Sequence, residues 1–255
     1  MAHAAAFFDL DRTLLRRSSA LALAGSFRDR GLLSRRHLAR AALWQLLFVA
    51  RGADAEGVRR VAEEGLAVLR GFRPEEMRSL VADAMEPVLK PLVYAEPLHL
   101  VARHRELGEP VYIVSATLQE VVDGLAAELG FDGGIGTVCE VGADGAYTGH
   151  SVRPLHGEGK AQAVRELAQH EDIDLARSTA YSDSHTDLPF LEVVGHPVAV
   201  NPDRDLRRVA RDRGWETLEF SERAYPHARR RVHPAFYGVP LLLGALYAAK
   251  KQRGR

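Results

Sequence analysis

Two aspartates, Asp9 and Asp11, stand just after a short apolar run, and Thr13 follows them. Three other segments carry groups of matching chemistry in the same kind of place. Ser115 and Ala116 follow Pro110 to Val114. Asp183 and Asp187 follow Ser178 to Tyr181. Lys160 opens a helical pattern behind Gly157-Glu158-Gly159. A lone D-x-D-x-T is more often a loop or a helix cap, but four segments that bring such groups to one edge change that reading. Gathered carboxylates repel and raise one another's pKa. A hard divalent cation relieves the repulsion, and few carboxylates with several waters suit Mg²⁺. Lys160 adds a second positive charge, and Ser115 with nearby backbone N–H groups adds donors. Cations and donors around one open position describe a phosphoryl site. There Asp9 would attack phosphorus and become an aspartyl-phosphate. Asp11 would first protonate the leaving oxygen and then deprotonate the attacking water.

The elements that must position these groups follow from the apolar pattern. Ala4 to Phe8, Pro110 to Val114, Ser178 to Tyr181 and Pro197 to Val200 read as buried strands. Helical patterns lie between them at Thr117 to Leu129, Lys160 to Ala168 and Asp203 to Arg213. This alternation predicts an α/β fold with a mostly parallel sheet. In such a sheet, ligands bind beyond the carboxyl ends of the strands, where the site residues stand.

Residues 16–91 break the alternation. They read as four consecutive helices: Ser18 to Arg30, Ser34 to Ala50, Asp54 to Arg70 and Pro74 to Leu89. Ser34 and Asp54 are good N-caps, and Pro74 suits a first turn. Pro87 should kink or end the fourth helix. The segment is an all-helical insertion after the first strand. A β-hairpin is expected over Cys139 to Gly149, turning at Asp144-Gly145.

Composition bounds the rest. In 255 residues there are 34 Lys plus Arg and 34 Asp plus Glu, so the net charge is zero. That argues against a protein coated for nucleic acid. The balance hides an asymmetry: from Arg223 onward there are eight Lys or Arg and no acid, leaving a net of −8 on the residues before it. The chain therefore divides into a body of residues 1–15 and 92–222, the helical insertion 16–91, and a basic tail 223–255. A single cysteine, Cys139, and no signal-peptide pattern fit a reducing, cytoplasmic setting. The longest apolar stretch near a terminus, Ala235 to Ala249, is shorter than the ~20 residues of a spanning helix. With its basic flanks, it suits either packing on the body or peripheral contact with an anionic membrane.

The pieces FFDLDRTLL, IVSAT, GEGKAQAV and YSDSHTDLP together resemble the haloacid dehalogenase superfamily, in particular its phosphoserine-phosphatase-like group. The resemblance spans residues 5–189. It implies a Rossmann-like core with a helical cap, and a Mg²⁺-dependent phosphomonoesterase acting on a small phosphorylated metabolite. It also implies Asp9 as nucleophile and Asp11 as acid/base, with Thr13, Ser115, Ala116 and Lys160 on the phosphate side. Mg²⁺ would sit on Asp9, the Asp11 carbonyl and Asp183, with Asp187 steadying metal waters or Lys160.

The departures concern the substrate. Phosphoserine phosphatases carry an acid seven positions after the acid/base aspartate, where it reads the serine amine; here that position is Ser18. The second motif has Ala116-Thr117 in place of two glycines, and Thr186 stands where Asn is usual. Arg16 and Arg17 are either solvated hinge residues or a cationic pair for a second anionic group. His185 is a candidate substrate contact. His99 and His104 do not share a helix face, Cys139 reads as a hairpin or core residue, and apolar Trp44 to Val49 reads as cap core. An acceptor alcohol in place of water would make the same machinery a phosphotransferase. The basic, apolar tail motivates a competing reading, a membrane-surface binding protein on a phosphatase fold, but such a binder would not need both Asp9 and Asp11. Oligomeric state is not readable from the chain.

Overall fold

The computed structural model describes residues 2–31, 66–153 and 155–225. The expected helix Ser34 to Ala50 with Trp44, most of the expected helix Asp54 to Arg70, and the tail from residue 226 lie outside these.

The elements run β1 (Ala6–Phe8), α1 (Ser19–Asp29), α2 (Pro74–Ala84), α3 (Glu96–Glu106), β2 (Val111–Leu118), α4 (Gln119–Leu129), β3 (Gly133–Thr137), β4 (Cys139–Val141), β5 (Tyr147–Ser151), α5 (Glu158–His170), β6 (Thr179–Ser182), β7 (His196–Val200), α6 (Arg204–Arg213) and β8 (Glu216–Leu218). Six strands form one sheet in the order β3-β2-β1-β6-β7-β8, every pair parallel. β1 is central. The chain leaves it for β2 on one side and later returns to β6 on the other. That reversal opens a crevice at the carboxyl ends of the strands.

Both faces of β1 are apolar because helices cover both. Ala5 and Phe7 pack with Val164, Phe190 and Leu206 on one face. Ala6 and Phe8 pack with Val101, Val122 and Leu125 on the other. Phe8 stacks on Tyr181 of β6 with ring centroids 4.3 Å apart. Fully burying such a ring contributes about 2–3 kcal/mol, which fixes β1 and with it the residues that follow.

Several boundaries differ from the sequence reading. β2 runs on to Leu118, so Ser115 and Ala116 lie within the strand and the helix after them begins at Gln119. The fourth insertion helix stops at Ala84 and passes into a π-helical turn, Met85–Leu89, that contains Pro87. Proline has no N–H for the α ladder, so regular helix ends before it. The hairpin forms as β4 and β5, antiparallel.

Two strands carry no apolar signal. β8 is a polar edge strand. β3 reads Gly-Gly-Ile-Gly-Thr because it lies hard against α4: a Cβ on Gly134 would come within 2.3 Å of Val122 Cγ1, and one on Gly136 within 2.6 Å of the Gln119 Cα. Close approach selects glycine there, which erases the β pattern.

Candidate active site

Asp9 follows β1 directly, its amide donating to the Tyr181 carbonyl of β6 at 2.9 Å. From there the chain turns tightly. The Leu10 carbonyl accepts from the amides of Leu14 (3.0 Å) and Leu15 (2.8 Å), closing a loop over Asp11, Arg12 and Thr13. Arg12 holds φ 68°, a left-handed conformation unusual for a side chain of this size.

Lys160, in the first turn of α5, ties the edge together. Its Nζ donates to Asp9 Oδ1 at 2.5 Å and to Asp187 Oδ2 at 2.7 Å, all three side chains being buried. Ser182 Oγ donates to the same Asp187 oxygen at 2.8 Å. The ammonium also lies 5.5 Å from the centre of the Phe190 ring. Burial pushes the Asp9 carboxyl above its ordinary value; Lys160 opposes that and Asp187 adds to it. Lys160 is itself held charged, because Asp187 and Asp9 outweigh the desolvation of its ammonium.

Asp11 takes a different position. Its Oδ1 accepts the Ser19 amide at 2.8 Å, so it caps α1. Burial raises its carboxyl, while bonds from Ser19 and Ser18 pull the other way. Ser19 Oγ continues to Thr117 Oγ1 at 3.2 Å, and the Thr117 amide donates to Ser115 Oγ at 3.1 Å. Asp11 and Ser115 are thus joined through Ser19 and Thr117, a link the sequence reading did not contain. The Ala116 carbonyl accepts Thr137 Oγ1 at 2.7 Å, tying this bend of β2 to β3. Thr13 is fully buried, and its Oγ1 has no hydrogen-bond partner.

Asp183 is buried just past β6, and burial pushes its carboxyl up to about 6 against the pull of Arg12. Arg12 Nε lies 3.4 Å from Asp183 Oδ2, with the arginine side chain 65% exposed and the aspartate 5%. Arg12 is not among the site residues expected from the sequence, although its place between Asp11 and Thr13 is a signal for it. Of the two arginines expected near a second anionic group, Arg16 lies over the Tyr94 ring, 5.7 Å from its centre, and Arg17 is exposed. The sequence marks Asp203 only as the start of a helix. It caps α6 by accepting the amides of Asp205 (3.1 Å) and Leu206 (2.8 Å), takes the His185 amide at 2.9 Å, and donates its own amide to the Asp183 carbonyl at 2.9 Å. The His185 side chain is exposed.

Among the described residues, no three His, Cys, Asp or Glu side chains gather as a metal cluster; Lys160 and Arg12 hold the carboxylates instead. Two other reactive groups are committed elsewhere. His104 is bonded to Glu109 Oε2 (2.6 Å) and the Tyr181 hydroxyl (2.8 Å). Cys139 is buried in β4, and burial pushes its thiol up to about 11.

Comparison with known proteins agrees with this arrangement. Residues 6–192 match the model of the haloacid dehalogenase-like hydrolases. The chain is 44% identical over 216 residues to an inhibition of morphological differentiation protein of Streptomyces azureus, covering 85% of this chain and 78% of that one. It is 38% identical over 260 residues to phosphoserine phosphatase SerB1 of Mycobacterium tuberculosis, covering 98% and 81%. Among solved structures, a Bordetella pertussis protein of unknown function superposes with a TM-score of 0.75 at 30% identity, covering 86% of this chain and 99% of that one. With its parallel sheet, its carboxylate-lysine edge and these relatives, the chain belongs to the haloacid dehalogenase-like hydrolase family.

Proposed function

We propose that this hydrolase is a Mg²⁺-dependent phosphatase that cleaves a small phosphorylated metabolite through an aspartyl-phosphate on Asp9. The enzyme is a phosphoric monoester hydrolase; the metal, the intermediate and the substrate are the finer reading. One observation carries it. Lys160 is buried between Asp9 and Asp187 at the carboxyl end of the sheet, and its charge acts on both Asp183 and Asp11. In this reading residues 16–91 form a cap over a core of residues 1–15 and 92–222, and 223–255 are a tail.

Asp9 provides the attacking oxygen. Lys160 and Ser115, with Thr13 and the Ala116 backbone, hold the transferring phosphoryl oxygens where negative charge accumulates. Asp11 is held by Ser18 and Ser19 with its carboxyl raised by burial. It is therefore disposed to give a proton to the leaving oxygen, and then to take one from the attacking water.

The donor set fits a hard cation. Asp9 and Asp183 are buried carboxylates raised by burial, and the salt partner of Asp183 is an arginine whose side chain is largely exposed. Asp9, Asp183 and the Asp11 carbonyl would hold the ion, with Asp187 committed to Lys160 and Ser182. When bound, Mg²⁺ neutralises phosphoryl charge and keeps Asp9 ionised. Activity is expected to vanish in EDTA and return with Mg²⁺, with Ca²⁺ a poor substitute because it takes more ligands at longer distances. Full turnover in chelator would remove the metal from this reading. A panel of phosphate esters scored by kcat/KM tests the substrate class.

Phosphoserine is expected to rank below other esters in that panel. Ser18, where the amine-reading acid would stand, occupies the N-cap position of α1 and turns its side-chain hydrogen bond to Asp11. A substrate ammonium would find no acid at that position, and the residues just before it in the chain, Arg16 and Arg17, are basic. The SerB1 relative's name points to the opposite ranking. If phosphoserine gives the highest kcat/KM, position 18 does not decide specificity.

A further inference from the structure

The two connectors between the sheet and the inserted helices are paired with each other. On the outgoing side are Leu14, Leu15 and Arg16; on the return side are Leu92 to Ala95. The Arg16 amide donates to the Leu92 carbonyl at 2.8 Å, and the Tyr94 amide to the Leu14 carbonyl at 3.0 Å, with Leu15 antiparallel to Val93. The return connector has a second neighbour. The Ala95 amide donates to the Glu222 carbonyl at 3.2 Å, the Ala224 amide donates to the Val93 carbonyl at 3.1 Å, and Tyr94 lies antiparallel to Arg223. The segment after β8 is thus the third strand of a short ribbon whose middle strand is the return connector.

Two side chains fasten that third strand. Glu96, the first residue of α3, accepts both the Ser221 amide (2.6 Å) and the Glu222 amide (2.9 Å) on Oε1. Its Oε2 is buried and has no hydrogen-bond partner. Burial works to raise this carboxyl, but backbone hydrogen bonds, those of Glu222 and Ser221 first and then those at Glu96 and Ala95, hold it below its ordinary value. Asn201, at the end of β7 with φ 42°, clamps Phe220 by accepting its amide (2.9 Å) and donating to its carbonyl (3.0 Å). The same Asn201 amide group donates to the Tyr94 hydroxyl at 3.3 Å, and the Tyr94 and Phe220 rings meet edge to face at 6.0 Å.

The ribbon reaches the chemistry through one short path. Leu14 and Leu15, paired to the return connector, are also the residues whose amides close the loop over Asp11, Arg12 and Thr13 onto the Leu10 carbonyl. That loop contains a left-handed arginine, a conformation the chain does not keep unless its surroundings impose it. We propose that Glu96 is a positioning residue: by fastening residues 221–224 it holds the return connector, and through Leu14 and Leu15 the loop that presents Asp11. The inference rests on the acid/base role assigned to Asp11 above.

The test uses the full chain and two readouts. In E96A, amide hydrogen exchange should quicken at Ser221 and Glu222, and also at Tyr94 and Arg16, while β6 keeps its wild-type protection. The rate on an alkyl phosphate should fall about tenfold further than on an aryl phosphate, since only the alkoxide depends strongly on a placed acid. E96Q keeps an acceptor oxygen at the same reach and should recover most of both effects. If E96A does not fold, E96D, shorter by one methylene, takes its place. Faster exchange confined to residues 221–224, or equal losses on the two esters, overturns the positioning role. A wild-type protein inactive on both esters overturns the proposed function itself, a result distinct from either.

Discussion

Asp9→Asn is expected to abolish turnover while leaving the protein folded. The amide has the shape of the carboxylate but is a very poor nucleophile, so kcat should fall on the order of 10⁴-fold or more. Stability should not fall with it. Asp9 is buried beside Asp187 and near Asp183, and both carboxylates work against its ionisation. Asparagine removes that repulsion and keeps an oxygen that can accept from the Lys160 ammonium. Steady-state rates with a phosphate ester and thermal unfolding of the same preparation separate the two effects. Turnover within tenfold of wild type would exclude Asp9 as the nucleophile. Lost activity with a collapsed Tm would mean that Asp9 is there for the fold.

Lys160→Met should damage both activity and stability. The lysine is 3% exposed and is the shared partner of two buried carboxylates. Removing one member of a buried ion pair and leaving the other uncompensated costs roughly 3–5 kcal/mol. Methionine restores the volume but no positive charge, so Asp9 and Asp187 must take up protons or draw in water. On the proposed role of Lys160 toward the phosphoryl oxygens, losing its charge should also lower kcat/KM by on the order of 10²–10³-fold. The double variant K160M/D187N distinguishes the two roles. Asn at 187 removes one orphaned charge, so urea unfolding should show much of the stability returning while the activity stays lost. Recovery of activity in the double variant would show that Lys160 serves only to neutralise Asp187.

The candidate site was legible in the sequence to the extent that its groups stand where apolar runs end or a helix begins. Asp9, Ser115 and Asp183 each follow an apolar run that stops at a polar residue, and a parallel sheet puts all such stops on one edge. Lys160 was legible because glycines precede it at a helix start. What local pattern did not carry was the partner of each group. Arg16 and Arg17 were candidates for an anion, yet Arg16 is stacked on Tyr94 and the arginine beside the carboxylates is Arg12. Ser19 and Thr117 are ordinary hydroxyl residues in sequence, and only the approach of α1 to the end of β2 joins them. β3 was hidden because close packing on α4 leaves room for glycine alone, and glycine carries no strand signal.

By itself the sequence determined the alternation of strands and helices, the described helices near the two ends of the segment inserted after the first strand, and the four places where chemistry could stand. These are local properties, set by periodicity, caps and the points where apolar runs stop. The tertiary structure decided the strand order, the bridging of Asp9 and Asp187 by Lys160, and the third strand that fastens the connectors. Lys160 and Asp9 are 151 residues apart, and Ser221 and Glu96 are 125 apart. Contacts at such separations form because the packed core brings remote segments to the same edge. The residues between them carry no periodic trace of that meeting.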